Sequence, residues 1–135
     1  MEKTLAIIKP DAVANKNIGN IISRIEKEEF NILEIKMLKL TKKEAEDFYS
    51  VHKEKSFFAE LVELMISGPI VVLALEKKDA IQRWRNVMGA TNPTEAKENT
   101  IRKLYGKSVG NNATHGSDSL ENAKKEIAFF FPKSI

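Results

Sequence analysis

Residues 70–75 read Ile-Val-Val-Leu-Ala-Leu, six apolar side chains with no polar break, between Ser67-Gly68-Pro69 and Glu76-Lys77. A short apolar run bounded by turn signals and rich in branched side chains is a central strand. The remainder of the chain must then supply its neighbours. Residues 3–9 form a second strand, with Leu5, Ile7 and Lys9 on one face and Thr4, Ala6 and Ile8 on the other. Pro10 has no N–H and ends it. Residues 30–40 form a third, with Leu33, Ile35 and Met37 on one face.

Between the strands the period changes to that of helices. Ile18, Ile21, Ile22 and Ile25 predict an amphipathic helix over residues 19–29. Thr41 with Glu44 is a capping box for a helix lined by Ala45, Phe48, Tyr49 and His52. Phe57, Leu61, Val62 and Met65 mark the next. Asp79 caps a helix carrying Ile81, Trp84 and Met88, which Gly89 ends. Leu120, Ala123, Ile127 and Phe130 or Phe131 give a buried stripe on a last helix, which Asp118 and Glu121 start in capping-box fashion. This order of elements predicts the α+β class, with an antiparallel sheet and helices on one face.

The chain has 135 residues, no repeat and no linker, so residues 1–135 read as one domain that buries a core without staples. It lacks cysteine, which excludes disulfides and thiolate chemistry and is compatible with a reducing cytosol. Neither a signal peptide nor an apolar span is expected. The net charge of +3 suits phosphate-bearing ligands but is too small to argue for nucleic acid.

Residues 90–114 show little periodicity, and loops of that length in compact domains are usually functional or disordered. The segment is read as an ordered substrate loop with a short helical turn near residues 94–98. It leads into Gly110-Asn111-Asn112-Ala113-Thr114-His115-Gly116-Ser117-Asp118-Ser119. His115 thus lies just upstream of a helix N-terminus, where backbone N–H groups favour an anion. An imidazole, with an ordinary pKa of about 6.5, is largely neutral at pH 7 and can carry a phosphoryl group covalently. Glu126, two turns into the helix on the face of Ser119 and Asn122, is placed to orient it if the preceding loop folds back. Spacing alone permits equally a loop histidine and a solvated glutamate. Lys9, at the tip of a buried strand, meets a partner or snorkels to water. Arg85 and Arg102 have the planar fork that suits phosphate oxygens, yet most arginines are solvated. A Walker phosphate loop and the protein-kinase motifs are absent.

The string Asn-Ala-Thr-His-Gly-Ser-Asp-Ser at residues 112–119 resembles the active-site motif of nucleoside diphosphate kinases. The resemblance covers nearly the whole chain. It includes Ile8-Lys9-Pro10-Asp11, Phe57-Phe58, Ser67-Gly68-Pro69, Arg85 with residues 88–93 (Met-Gly-Ala-Thr-Asn-Pro), and Thr100-Ile101-Arg102. The spacing is similar to that of the short bacterial members.

That resemblance implies a ferredoxin-like βαββαβ sheet with added helices and a long substrate loop. It also implies an enzyme that passes the γ-phosphoryl group of a nucleoside triphosphate, mainly ATP, to nucleoside diphosphates through phospho-His115. Such an enzyme maintains the ribo- and deoxyribonucleotide pools. On this resemblance Arg85, Thr91 and Arg102 bind phosphates, and Lys9 and Asn112 reach the sugar 3′-hydroxyl and phosphates. Phe57 stacks on the base. Tyr49 and Glu126 support His115, and Ser119 lies near it. Mg²⁺ arrives with the nucleotide, because no carboxylate cluster marks a permanent metal site.

The family further implies a cytoplasmic homo-oligomer, tetramer or hexamer, with no membrane and no specific nucleic-acid partner. Departures from its pattern are Ser56, Asn111 and Lys103-Leu104, none at a matched functional position. His52, one helical turn from Tyr49, reads as solvated or supporting. The rival expectation is a non-catalytic ferredoxin-like nucleic-acid-binding module. It lacks the aromatic strand motif such modules carry.

Overall fold

The computed structural model describes residues 1–133. Four strands, β1 (Glu2–Ile8), β2 (Asn31–Leu38), β3 (Ile70–Lys77) and β4 (Thr114–Gly116), form one sheet in the order β2-β3-β1-β4. Every neighbouring pair is antiparallel. The apolar run of residues 70–75 is the buried part of β3, which is paired on both edges. Among the described residues seven α-helices accompany the sheet: α1 (Pro10–Ala14), α2 (Ile18–Lys27), α3 (Lys42–Phe48), α4 (Phe58–Met65), α5 (Ala80–Met88), α6 (Ile101–Tyr105) and α7 (Leu120–Phe130).

Helices cover both faces of the sheet rather than one. Ala6, Ile8, Leu73 and Leu75 pack with Ile21, Ile25 and Trp84 of α2 and α5. On the opposite face Leu5, Ile7, Val72 and Ala74 pack with Ala45, Val62, Met65 and Ile127 of α3, α4 and α7. The run in β3 has no polar alternation because neither of its faces meets water. Trp84 is the largest fully buried side chain. Truncating a buried tryptophan costs about 3–5 kcal/mol, a large share of a domain's net stability of about 5–15 kcal/mol.

Several local expectations change. A bulge between Ile32 and Glu34 alters the parity of β2, so Ile32 and not Leu33 pairs on the face of Ile35 and Met37. Residues 90–114 are not one irregular loop. They contain a 3-10 turn at Pro93–Glu95 and α6, whose N-cap Thr100 accepts from Lys103 N. Asp79 holds the N-cap position of α5 with φ 56° but makes no side-chain cap bond; the Glu2 carboxylate accepts from Ile81 N instead. Ser119, not Asp118, caps α7 by accepting from Asn122 N. Leu120 is exposed and stands outside the buried stripe. The capping box of Thr41 and Glu44 forms in full.

Candidate active site

His115 lies on a strand, not in a loop. It pairs with Ile7 of β1, and its ring points to the face covered by α3 and α7. The Phe48 and Tyr49 rings meet it edge-on at 5.6 and 6.1 Å between centroids. The loop from Gly116 to Ser119 turns the chain into α7, which runs back over the sheet and brings Glu126 to the imidazole. His115 Nε2 is 2.9 Å from Glu126 Oε1. The same oxygen accepts from Ser117 Oγ at 2.7 Å, and Ser117 Oγ accepts from Leu5 N at 3.2 Å. A carboxylate oxygen accepts, so Nε2 is the donor of this bond, and in the neutral ring the lone pair is then on Nδ1.

Burial explains the state of Tyr49. Removal from water, and then the charge of Glu126, push its phenol well above the usual tyrosine range, so it stays neutral. Its ring stacks at 6.4 Å with His52, which in turn lies 5.6 Å from Phe57. Phe57 is half exposed at the N-cap of α4.

A second cluster forms where residues 110–114 cross the C-terminal end of β1. Lys9 is buried, and its Nζ donates to Gly110 O at 2.8 Å and to Asn112 Oδ1 at 2.9 Å. Asn112 Nδ2 donates to Thr91 O at 3.1 Å. Ala113 takes φ 72°, Thr114 N donates to Asn112 O, and Asp11 Oδ2 accepts from Ala113 N. A strained three-residue turn of this kind costs about 1–3 kcal/mol and persists only where its surroundings hold it. Burial lowers the Lys9 pKa to about 8; Asp11 opposes that shift and Arg102 adds to it.

Arg102 of α6 is buried and donates to Gly89 O at 3.1 Å and Thr114 O at 2.9 Å. Burial, then the charge of Arg85, lowers its pKa to about 10, so it remains a cation at neutral pH. Gly89 ends α5 with φ 88°, and a Cβ there would lie 2.5 Å from Thr100 Oγ1. That close approach of α5 to the cap of α6 brings the two arginines to one site.

These groups surround a cavity of about 920 Å³. His115, Glu126, Tyr49, Arg85, Thr91 and Arg102 line it, together with His52, Lys97 and Asp118. Lys9, Asn112 and Phe57 do not line it: Lys9 bonds to Asn112, Asn112 donates to Thr91 O, and Phe57 lies against His52. Ser119 is taken up in capping α7. Asn122 donates to Asp118 and holds that carboxyl below its usual range. Two positions here were not legible as site residues. Ser117 is at i+2 from His115, a same-face spacing only on a strand, and a segment read as loop has no face to share. Trp84, whose Nε1 donates to His115 O at 3.2 Å, reads in sequence only as a core residue.

The sequence and the fold have close counterparts. The family model for nucleoside diphosphate kinase matches residues 2–135. The chain belongs to the nucleoside diphosphate kinase family. The kinase of Chlamydia abortus is 59% identical over 133 residues, covering 98% of this chain and 94% of that protein. That of Chlamydia muridarum is 57% identical over 134 residues, covering 99% and 95%. The Aquifex aeolicus kinase superposes with a TM-score of 0.94 at 47% identity, covering 96% of this chain and 94% of that one. A halophilic nucleoside diphosphate kinase from Halobacterium salinarum, solved in complex with CDP, gives 0.92 at 36% identity, covering 96% and 87%.

This kinase is an enzyme that passes a phosphoryl group from nucleoside triphosphates to nucleoside diphosphates. The fold is the ferredoxin-like one that the resemblance implied, and a nucleic-acid-binding module is not favoured. No helix among the described residues is long and apolar enough to cross a membrane.

Proposed function

We propose that His115 carries the phosphoryl group in a ping-pong cycle, with donor and acceptor using the one cavity in turn. Nδ1 attacks the γ-phosphorus of the triphosphate, mainly ATP. The bond from that phosphorus to the β,γ-bridging oxygen breaks, and its electron pair leaves with the diphosphate. A terminal oxygen of a second diphosphate then attacks the phosphohistidine. The P–N bond breaks, and its pair returns to Nδ1.

The observation that carries this reading is the 2.9 Å bond between His115 Nε2 and Glu126 Oε1, in a cavity that two arginines share. The bond fixes the tautomer, leaves Nδ1 as nucleophile, and stabilises the ring as it gains charge. Arg85, Thr91 and Arg102 bind the phosphates. Lys9 and Asn112 reach the sugar 3′-hydroxyl and phosphates, and Tyr49 supports the ring. Catalysis is then mostly positioning and charge stabilisation. Among the described residues no three His, Cys, Asp or Glu side chains cluster to hold an ion. The divalent cation, Mg²⁺ in this reading, comes with the nucleotide phosphates and shields their charge. The chain works as a cytoplasmic homo-oligomer. Supporting self-association, the edge strand β2 exposes Leu33, Ile35 and Met37. Incubation with γ-labelled ATP and Mg²⁺ tests the cycle: label on the protein that a diphosphate then removes supports it, and no uptake rejects it.

Phe57 supplies the only base contact in this reading, and a flat ring tolerates every base. Stacking contributes about 1–3 kcal/mol per base. Phe57→Ala is expected to lower kcat/KM for adenine, guanine, cytosine and uracil diphosphates by similar factors. A loss confined to one base would reveal a polar group reading that base.

Lys9 sets an alkaline limit. Its pKa of about 8 means that it loses its proton, and its attraction for phosphate, as pH rises past that value. The kcat/KM for diphosphates should fall through that midpoint. Stability should move the other way. The unfolded chain, with an ordinary lysine near 10.4, binds more protons than the folded one above pH 8. Stability relative to Lys9→Met therefore rises with pH across that window. A kcat/KM profile flat past pH about 9 would remove Lys9 from the phosphate site.

A further inference from the structure

The backbone of His115 is gripped from the side of the sheet away from its imidazole. The ring lies among α3 and α7, whereas Trp84 of α5 belongs to the opposite core. Trp84 is fully buried, and its Nε1–H donates to the main-chain oxygen of His115 at 3.2 Å. A buried indole N–H needs an acceptor, but many arrangements would provide one. This arrangement also shapes the next residue. A Cβ on Gly116 would lie 2.5 Å from Trp84 Cδ1 and 2.9 Å from Nε1, so the indole edge occupies the notch that glycine leaves. Behind it Phe30 meets the indole edge-on, with centroids 5.8 Å apart and planes at 84°. The indole is thus held between Phe30 and the backbone of His115 and Gly116.

What the grip controls is a short strand. β4 has three residues at the edge of the sheet, paired along one side to β1. So brief a ladder holds its register weakly, and a misplacement of about 1 Å at a reacting atom costs roughly 100-fold in rate. The helix that carries Trp84 also carries Arg85, which lines the cavity. One hydrogen bond therefore ties the phosphate-side helix to the strand bearing the nucleophile.

We propose that Trp84 is a positioning residue for phosphoryl transfer, setting the height of His115 through its carbonyl; this rests on His115 being the phosphoryl carrier. Trp84→Phe keeps an aromatic ring but removes the N–H, whereas alanine would leave a cavity. Rapid-quench phosphorylation by γ-labelled ATP compares wild type, Trp84→Phe and Ile25→Val, which loosens the same core and keeps the indole N–H. Trp84→Phe is expected to slow the single-turnover step about 3- to 10-fold, the scale of one buried hydrogen bond. Half-saturation by ATP should stay within about 2-fold, because the substitution keeps Arg85, Thr91 and Arg102. Ile25→Val should melt earlier yet phosphorylate at nearly the wild-type rate.

Trp84 is the only tryptophan in the chain, so the indole N–H gives one resonance in an ¹⁵N-labelled sample. It should shift in phosphoenzyme freed of nucleotide, and return on addition of a diphosphate. This readout uses the wild-type protein and decides the matter even where Trp84→Phe does not fold. Wild-type rate in Trp84→Phe, or an unmoved indole resonance in fully labelled enzyme, overturns the role of Trp84 and leaves His115 as carrier. No label on wild-type enzyme overturns both.

Discussion

His115→Ala is expected to take up no label from γ-labelled ATP and to transfer none, while melting close to the wild-type protein. The chain has no cysteine, and the hydroxyls nearest the ring are committed. Ser117 donates to Glu126 and accepts from Leu5 N, and burial holds the Tyr49 phenol neutral. His115 is the imidazole that a carboxylate holds in this cavity, and removing a nucleophile takes away the whole covalent path rather than a fraction of it. The fold should survive, because the imidazole sits at the cavity edge with its side chain about one-fifth exposed. Its main-chain oxygen, which Trp84 holds, is also unchanged by the substitution. Wild-type label should be acid-labile and alkali-stable, as a P–N bond is. Label that survives acid would place the phosphoryl group on a hydroxyl, and acid-labile label that persists in His115→Ala would place it on His52, the other histidine of the cavity.

Much of this site was legible because its chemistry is concentrated in one contiguous string. Residues 112–119 hold Asn112 and His115 and lead into the helix bearing Glu126, although spacing alone left that glutamate equally readable as solvated. The central strand was legible for a related reason: six apolar residues in a row admit few alternatives. What stayed hidden depends on long-range geometry. The placing of helices on both faces of the sheet is decided by which side of β3 each helix packs against. A strand buried on both faces carries no alternation to report that choice. The cap of α7 fell on Ser119 rather than Asp118 because the two are adjacent and both can cap; only the turn geometry separates them. Helix α6 escaped detection since five residues are too few for a period. The exposed apolar residues of β2 show the converse, an apolar pattern in sequence that folding of one chain does not bury.

Glu126→Gln is expected to lower kcat by roughly 10- to 100-fold, the scale on which a partner that orients a functional histidine acts. The geometry makes the substitution sharper than its size implies. Glu126 Oε1 accepts from both His115 Nε2 and Ser117 Oγ. Glutamine is nearly isosteric, and its one carbonyl oxygen can still receive both bonds. What it loses is the negative charge. Attack on phosphorus leaves the imidazole with added positive character, and a carboxylate stabilises that change where an amide does not. The loss should therefore appear in the phosphorylation step, with half-saturation by ATP little altered. Ser117→Ala keeps the charge and removes one donor to it, together with the acceptor of Leu5 N. Its effect on rate should be smaller, about 10-fold or less, with part of its cost appearing as lower stability. The double variant separates the two contributions. If Ser117 acts only through the carboxylate, adding Ser117→Ala to Glu126→Gln slows the enzyme by less than it does in the wild type. Single-turnover rates for the four proteins supply that comparison. Full additivity would mean that Ser117 affects the rate by a route other than Glu126, and wild-type rates in Glu126→Gln would remove the carboxylate from the mechanism.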